Sequence, residues 1–429
     1  MMNGREAALR ALLACRNNGA WSDGVLKELL RDLDPREAGL ASCLCYGVIQ
    51  NRLCLEHWLK PFIRGKLQPA VQQILYLAMY QLTMMDKIPA SAAVNEAVEL
   101  TKKYANPQAA RLVNGVLRSV LRAMPLSEPT DLWIRYSHPK ELVELLEENL
   151  GTKTEALLQS HNAVTKTVLQ VNTLKTTCQD LLASLEESGV QCQLHPWLKD
   201  CIFVGGTGSI DRLPQFREGL FYVQDAAARL AVEAAGLQPG MRVLDCCAAP
   251  GGKSFAAAIA MKNQGTLTSC DIHSHKLQLI EKGAQRLGIS ILDTRLQDGS
   301  KAVEEWGSQM DAVIADVPCS GLGTIRKKPD IRYKDLKQTE LLPAIQRKIL
   351  ANQAKYVKVG GVLLFSTCTI LKRENEEVAQ SFLEAHPDFS LESVIYPQGS
   401  GIPNGAMTTL LPCDYDTDGF FICKFRRNS

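Results

Sequence analysis

The 429-residue chain lacks features that would assign it to several large classes of protein. No run of about 18 apolar residues occurs, so the sequence predicts no membrane-spanning helix and no membrane partner. None of its 14 cysteines has the C-x-x-C spacing of a zinc site, so we expect no metal. The N-terminal segment 1–6 also lacks the apolar core of a secretion signal. These absences favour a reduced, cytoplasmic protein whose thiols are mostly small buried side chains.

The chain also lacks a strong net charge of either sign. Its 48 basic and 46 acidic residues give a formal charge of +2. The charge is unevenly distributed, because residues 1–124 contain 16 basic and 10 acidic side chains and carry +6, whereas the remainder carries −4. A basic N-terminal segment favours a polyanion as partner, although an ordinary solvated helical surface would give the same count.

Apolar residues recur at helical spacing through the first 124 positions, for example in the segment 71–82. Prolines separate these segments at intervals that suit a helical bundle with short connections. The prolines are Pro35, Pro61, Pro69, Pro89 and Pro107. The pattern predicts an all-α domain over residues 1–130.

The middle of the chain mixes the helical and the strand periodicity. Residues 167–172 alternate like a strand, residues 178–188 have a helical pattern, and residues 201–204 resemble a second strand. Strand, helix and strand on this scale predict a small α+β module over residues 137–235.

Beyond Gly240, strands and helices alternate regularly. The expected strands are Arg242–Cys246, Thr266–Asp271, Ile291–Arg295, Ala312–Asp316 and Val362–Ser366. The expected helices are residues 254–261, 275–287 and 341–356. The alternation predicts an α/β domain over residues 236–429 with a doubly wound, Rossmann-like parallel sheet, whose ligands bind at the carboxyl ends of the strands.

A turn of small residues joins the first of these strands to its helix. In this turn Cys247 stands where a P-loop has its leading glycine, so the P-loop motif fails. A dinucleotide G-x-G-x-x-G motif fails too, because Pro250 lies inside the turn and only Gly251 and Gly252 are paired. A tight turn without a pyrophosphate motif indicates a nucleoside ligand that carries another group.

Two aspartates follow the next two strands. Asp271 lies 19 residues after Gly252, at a position where an acidic side chain accepts hydrogen bonds from the two hydroxyls of a ribose. Asp298 follows the third strand, where it would lie beside an adenine. Either carboxylate alone is more typical of a helix N-cap. Both together, after consecutive strands, favour S-adenosylmethionine as the ligand.

Cysteines follow two further strands, Cys319 in the segment 316–320 and Cys368 in the segment 366–369. A lone buried cysteine is usually inert, but two thiols at the ligand edge of a sheet suggest a nucleophile beside a methyl donor. Cytosine C5 is a carbon that needs such help, since a thiolate that adds to C6 makes C5 nucleophilic. The residues alone do not show which thiol attacks.

The motifs DCCAAPGGKS, DVPCSGLG and STCT resemble those of the Sun (Fmu) family of RNA cytosine-C5 methyltransferases. The resemblance continues through segment 323–330 (G-x-x-R-K-x-P-D), the Glu-Asn-Glu of 374–376 and the Asp-Gly-Phe-Phe of 418–421. The helical N-terminal third is similar to NusB, which marks the bacterial branch that methylates 16S ribosomal RNA. The likeness covers essentially the whole chain and implies S-adenosylmethionine as cofactor and ribosomal RNA as substrate.

This resemblance implies a role for each candidate site residue. Cys368 matches the family's nucleophile, and Cys319 matches the second cysteine, which helps to release the enzyme from its product. Asp316 matches the carboxylate next to the methyl donor and the target base. The cofactor-binding residues that it implies are Cys247, Ala248, Ala249, Pro250, Gly251, Gly252, Lys253, Asp271, Asp298 and Asp316.

A basic segment just past Cys319 would hold the RNA strand through phosphate contacts, unless it is only a solvated loop. Its basic residues are Arg326, Lys327, Lys328, Arg332, Lys334 and Lys337. Three aromatic residues, Tyr222, Phe420 and Phe421, could stack on bases, with core packing as the alternative.

Two other functions are consistent with the same residues. A transfer RNA substrate would use the same catalytic domain, so that domain cannot separate the two. A non-catalytic RNA-binding or antitermination factor could also use this scaffold, but the presence of both cysteines argues against it. We expect the protein to be a monomer.

Overall fold

The computed structural model describes residues 2–18, 22–205 and 210–429. These residues form two compact units. Unit 1 comprises Met1–Asn162 together with Lys327–Lys334, and unit 2 comprises Ala163–Arg326 and Asp335–Ser429. The chain therefore leaves unit 2 for eight residues, which become part of unit 1, and then returns.

Unit 1 is helical, as the apolar spacing predicts. In the part of the chain that the structure describes, its helices are α1 (Gly4–Asn18), α2 (Ser22–Leu29), α3 (Pro35–Leu59), α4 (Pro69–Met84), α5 (Ala90–Tyr104), α6 (Pro107–Ala123), α7 (Leu132–Arg135), α8 (Lys140–Leu150) and α9 (Thr154–His161). The expected helical stretch also includes residues 19–21, which lie outside the described residues.

Proline and a capping side chain together set where several of these helices begin. Pro35 opens α3 behind Asp34, whose carboxylate accepts hydrogen bonds from two backbone N–H groups of the first turn. Pro107 opens α6 in the same way behind Asn106. Proline has no N–H to lose at the first helical position, and the cap satisfies donors that have no partner within the helix.

Unit 2 contains a small antiparallel sheet with strand order β2-β3-β1-β4. Its elements are β1 (Thr167–Val171), α10 (Cys178–Glu187), β2 (Gln191–Leu194), β3 (Cys201–Gly205), α11 (Pro214–Arg217), β4 (Phe221–Val223) and α12 (Ala226–Ala234). The predicted strand, helix and strand correspond to β1, α10 and β3. The sequence did not indicate β2, because β2 is largely exposed and has no buried alternating face.

The larger sheet of unit 2 has the strand order β10-β12-β9-β8-β5-β6-β7, and β11 pairs with β12. The strands are β5 (Arg242–Asp245), β6 (Thr266–Asp271), β7 (Leu292–Leu296), β8 (Met310–Asp316), β9 (Val357–Thr367), β10 (Phe389–Leu391), β11 (Met407–Leu410) and β12 (Phe420–Arg427). The helices are α13 (Gly252–Ala260), α14 (Ser274–Leu287), α15 (Leu342–Ala354), α16 (Glu376–Ala385) and α17 (Pro412–Tyr415).

The five expected strands pair in parallel as β5 to β9, which confirms the Rossmann-like core. The sheet is not parallel throughout, however, because β12 pairs antiparallel with β9 and with β10 and β11. Strands β8 and β9 are buried along most of their length and lie in register, with Asp316 opposite Ser366. Residues that follow these two strands therefore emerge side by side.

None of the helices in the described residues has both the length and the apolar character that crossing a membrane requires.

Candidate active site

A hydrogen bond to a buried carboxylate connects the end of β5 with the first turn of α13, across the small-residue turn. Asp245 is fully buried and accepts a hydrogen bond from Ser254 Oγ at 2.7 Å. Burial raises the pKa of Asp245 to about 7. Gly251 has a φ of 108°, and a Cβ at this position would lie 2.5 Å from the ring of Phe255. The turn 247–253 therefore requires glycine at this point, and its backbone can approach a ligand closely.

Asp271 and Asp298 end up at the same edge of the sheet, after β6 and β7. Asp271 Oδ1 accepts a hydrogen bond from the His273 N–H at 2.9 Å, and α14 has its own N-cap at His273 without a side-chain cap. Asp298 Oδ1 accepts hydrogen bonds from the backbone and the hydroxyl of Ser300. Neither aspartate caps a helix, so the capping alternative does not account for them.

The arrangement fits S-adenosylmethionine. Among the described residues, Asp271 Oδ2 takes no hydrogen bond, and the side chain is partly exposed, so this oxygen can accept from a ribose hydroxyl. The hydrogen bonds from Ser300 lower the pKa of Asp298, which keeps it an anion able to accept from the amino group of an adenine. The cofactor, when bound, supplies a methyl group on a positively charged sulfur.

The two cysteines lie in contact. Cys319 follows β8, Cys368 follows β9, and their sulfur atoms are 3.1 Å apart. Both side chains are partly exposed. The hydrogen bond to Cys368, together with burial, holds the pKa of Cys319 well above its usual value. The pair therefore favours one negative charge over two, as expected for two acids in contact.

A charged pair lies between the turn and the cysteines. Lys253 Nζ contacts Asp316 Oδ2 at 2.6 Å, and Asp316 Oδ1 accepts a hydrogen bond from Ser366 Oγ at 2.8 Å. Burial lowers the pKa of Lys253, but the negative charge of Asp316 outweighs it and leaves that pKa raised. Lys253 also lies 5.0 Å from the centre of the Phe420 ring. The structure thus holds a protonated amine and a carboxylate in one fixed orientation.

A buried polar network holds the loop that carries Cys319. Glu374 is fully buried and accepts hydrogen bonds from the Ser320 N–H at 2.8 Å and from Gln346 Nε2 at 3.1 Å. Gln346 Nε2 also donates to the carbonyl oxygen of Pro318 at 2.9 Å. The residues on both sides of Cys319 are therefore fixed through Gln346 and Glu374.

The next residue, Asn375, holds the loop that carries Cys368. Its Nδ2 donates to the carbonyl oxygen of Thr369 at 3.1 Å, and its Oδ1 accepts from Thr367 Oγ1 at 2.6 Å. A further hydrogen bond of 2.7 Å joins the hydroxyls of Ser320 and Thr369. Sequence reasoning assigned no role to Glu374 or Asn375, and the only signal was their place in a family motif.

The expectation that the basic segment after Cys319 contacts phosphate is wrong for Arg332. This side chain is 1% exposed and belongs to unit 1. Its guanidinium donates to the carbonyl oxygens of Gln50 at 2.6 Å and Ser137 at 3.2 Å, and to Asn162 Oδ1 at 3.1 Å. Arg326 is also unsuited to RNA, because its side chain is largely buried and pairs with Asp416. The segment therefore contributes a buried, hydrogen-bonded arginine, Arg332, to unit 1.

The three aromatic residues considered for base stacking are buried as well. Tyr222 is 3% exposed, Phe420 is 4% exposed and Phe421 is fully buried. Core packing therefore accounts for them.

Comparisons with known proteins agree with this architecture over the whole chain. Residues 233–426 match the family model of the 16S rRNA methyltransferase RsmB/F. Residues 2–122 match the NusB family, and residues 138–211 match a ferredoxin-like domain of the RsmF/B-like methyltransferases.

Individual relatives are similar to the chain from end to end. The "Probable ribosomal RNA small subunit methyltransferase B" of Bacillus subtilis is 37% identical, over 99% of this chain and 98% of its own. The "Ribosomal RNA small subunit methyltransferase B" of Serratia proteamaculans is 31% identical, over 98% of both chains. The crystal structure of a methyltransferase homologue from Pyrococcus horikoshii is 27% identical, with a TM-score of 0.61 over 69% of this chain and 98% of that one.

A Rossmann-like sheet with these strand-end carboxylates and these relatives defines an S-adenosylmethionine-dependent methyltransferase. Within that class, the identity over nearly the full length of both chains is decisive. The chain belongs to the ribosomal RNA small subunit methyltransferase B family.

Proposed function

We propose that the protein transfers a methyl group from S-adenosylmethionine to C5 of a cytosine in 16S ribosomal RNA, through a covalent bond between Cys368 and C6. The observation that carries the proposal is the contact of Cys319 and Cys368 at 3.1 Å. This pair lies beside the Lys253–Asp316 ion pair, at the edge of the sheet that also bears the cofactor residues. The family of the chain supports ribosomal RNA as the substrate.

Each of the two thiols has its own step in the proposed reaction. The Cys368 thiolate adds to C6, and the electron pair of the C5–C6 double bond makes C5 nucleophilic towards the cofactor's methyl group. The Cys319 sulfur then takes the proton from C5. The electrons of that C–H bond restore the double bond, the C6–sulfur bond breaks, and Cys368 leaves as a thiolate.

Asp316 is suited to recognise the base as cytosine. Its carboxylate is oriented on one oxygen by Lys253 and on the other by Ser366. The exocyclic amino group of cytosine is a donor that a carboxylate accepts, whereas uracil presents an oxygen there. The target nucleotide must be single-stranded or turned out of its helix, because the sulfur reaches C6 from the face of the ring.

We also propose that unit 1 binds the RNA backbone through α6. Arg111, Arg118 and Arg122 are exposed and lie on one face, within about 40° of one another around the helix axis. The opposite face is buried. The helix contains no acidic residue, and none of the three arginines forms an ion pair within the described residues. Arg118 and Arg122 donate only to neutral side chains of the same helix, Asn114 and Ser119. Guanidinium groups in a row without an ion pair are suited to phosphates.

The experiment that tests the proposed reaction is bisulfite sequencing of total RNA from cells with and without the protein. We expect one cytosine of 16S ribosomal RNA to lose its protection when the protein is absent, and to regain it when the intact gene is restored. Loss of protection at a transfer RNA cytosine instead would identify the alternative substrate. No change in any RNA would favour the non-catalytic alternative.

A further inference from the structure

The two sulfur atoms lie in unequal electrostatic surroundings. The Lys253 ammonium is close enough to Cys368 that the charge of a Cys368 thiolate raises the pKa of Lys253. On the other side, the negative charge of Glu374 raises the pKa of Cys319. The carboxylate near Cys319 favours the proton on that sulfur, and the Lys253 ammonium, although Asp316 partly neutralises it, favours the thiolate on Cys368.

Glu374 is an uncompensated buried carboxylate. It is fully buried, and it forms no ion pair among the residues that the structure describes. Its Oε2 accepts hydrogen bonds from the Ser320 N–H and from Gln346, while its Oε1 has no partner within the described part of the chain. Asp316, the other carboxylate that acts on Cys319, is instead neutralised by Lys253 at 2.6 Å. Of the two carboxylates that act on Cys319, Glu374 is therefore the one without a counter-ion.

We propose that Glu374 is a positioning residue that keeps the shared proton of the sulfur pair on Cys319 and so leaves Cys368 as the attacking thiolate. The cytosine chemistry of this inference rests on the proposed function. The position of the proton shared by Cys319 and Cys368 is a property of the protein without RNA. It supplies a physical reason, within this structure, for the ranking of the two thiols that the sequence alone left open.

The same arrangement explains how Cys319 can later act as a base. When Cys368 forms its bond to C6, it loses its negative charge and its ability to accept the hydrogen bond from Cys319. These are two of the influences that hold the proton on Cys319, and the hydrogen bond is the largest of them. Cys319 can then release its proton to water and afterwards take the proton from C5. The cycle returns both sulfurs to their starting state and releases one proton overall.

The test is the pH dependence of thiol alkylation in the full-length protein without RNA or cofactor. Brief treatment with iodoacetamide across a pH series, followed by mass spectrometry of the Cys319 and Cys368 peptides, reports which sulfur is the thiolate. In the unsubstituted protein we expect Cys368 to be labelled at lower pH than Cys319. The opposite order would overturn the proposal, whatever the substituted proteins do.

The contribution of Glu374 is isolated in proteins that carry Cys368→Ser, because only Cys319 then remains of the pair. Adding Glu374→Gln should move the labelling of Cys319 to lower pH and increase it severalfold at neutral pH. Adding Glu374→Asp, which keeps the charge, should preserve the profile of the parent. Profiles that coincide for the Gln variant and its parent would contradict the proposal.

Glu376→Gln is the matched control. Glu376 lies two residues further along, is partly buried and accepts a hydrogen bond from Thr409 at 2.8 Å. The carboxylates that raise the pKa of Cys319 most are Glu374 and Asp316, so the removal of Glu376 should leave the labelling profile almost unchanged. Because labelling needs neither RNA nor cofactor, an error in the proposed substrate would leave this result intact, and the two proposals can fail separately.

Discussion

Cys319 and Cys368 have different tasks in the proposed reaction, and removing each one should stop it at a different point. Cys319→Ala should allow the first bond to form and then stall release, so that methylated RNA stays bonded to Cys368. We expect a protein–RNA adduct that survives denaturation and appears as a shifted band on a denaturing gel. Cys368→Ala should give no adduct and no turnover.

The protein lacking both cysteines is the control for this experiment, and it should show no shifted band. An adduct that forms with Cys368→Ala but not with Cys319→Ala would reverse the two roles.

Asp271 is expected to contribute to cofactor affinity through its free carboxylate oxygen. Asp271→Ala removes hydrogen bonds from a charged acceptor, each typically worth about 1.5–3 kcal/mol, so S-adenosylmethionine should bind about 10- to 100-fold more weakly. Isothermal titration calorimetry measures this. Asp293→Ala, which removes an exposed carboxylate on the neighbouring strand β7, should not change the affinity. Equal affinities for the Asp271 variant and the unsubstituted protein would exclude the ribose contact.

Asp245 should make the stability of unit 2 depend on pH. Its pKa is about 7 in the folded protein, against an ordinary value of 3.8. Between these values the folded protein keeps a proton that the unfolded chain releases, so the free energy of unfolding falls as the pH rises through this window. Asp245→Asn should remove this decrease, which is at most about 4 kcal/mol.

Urea unfolding of the Asn variant and the unsubstituted protein across that window measures the difference. Parallel pH profiles for the two proteins would mean that Asp245 is charged in the folded state.

For single residues, the sequence indicated which side chains follow the strands, but it did not indicate which residues fix their positions. Cys319 and Cys368 follow apolar runs that are recognisable as strands, so their meeting could be predicted. The contact of Glu374 with Ser320 joins residues 54 positions apart, and no local pattern reports it. Only the packing of the loops creates that pair.

The helix α6 is the element whose surface is easiest to test. Substituting Arg111, Arg118 and Arg122 together by Gln should weaken RNA binding and lower the slope of log affinity against log salt by about 2, since about 0.7 is lost per single-strand phosphate contact. Filter binding across a salt series measures both. The buried face of α6 is untouched, so the fold should be retained.

A matched set of substitutions controls for net charge. Lys27, Arg36 and Lys87 are exposed cations of unit 1 that lie outside α6, and each is next in sequence to an acidic residue. Replacing these three by Gln changes the charge by the same amount and should leave the salt slope almost unchanged. Equal effects of the two sets would show that net charge, and not the α6 surface, determines binding.

Among the elements, the parallel strands were predictable and the antiparallel ones were not. Strands β5, β8 and the second half of β9 are apolar runs, which is the pattern of a parallel sheet buried on both faces, and β6 and the exposed edge strand β7 were found from their place in the alternation with helices. Strand β12 is equally buried, but no helix follows it, so the alternation gave no sign of it. Strand β4 has only three residues, too few for a periodicity to show.

For the molecule as a whole, the buried Arg332 is a structural requirement of unit 1. Arg332→Ala would remove the hydrogen bonds that a charged donor makes to the carbonyl oxygens of Gln50 and Ser137, at a cost of about 3 kcal/mol or more. Hydrogen exchange should show faster opening of the amides near Gln50 and Ser137. Lys328→Ala changes an exposed side chain in the same segment and should have no such effect. Unchanged exchange in the Arg332 variant would mean that this arginine is dispensable.

The composition of unit 1 was the least predictable feature of the whole chain. The segment Lys327–Lys334 has the basic composition of an RNA-binding loop, and its sequence carries no mark of burial. Only the structure shows that the segment is part of unit 1, because carbonyl oxygens of α3 and of the turn at Ser137 accept hydrogen bonds from the Arg332 guanidinium. A deletion of residues 1–124 would also remove Gln50 from this cluster, so the α6 substitutions are the cleaner probe of RNA binding.

The late position of Lys327–Lys334 in the chain has a consequence for biosynthesis. A nascent polypeptide emerges from its N-terminus, so the helices of unit 1 are complete long before Arg332 is made. Until then, His138, which is fully buried in the finished protein, lacks the neighbouring Arg332 guanidinium. The first unit to be synthesised is thus completed by a much later segment, and four of the eight strands of the larger sheet, β5 to β8, are translated before unit 1 is complete.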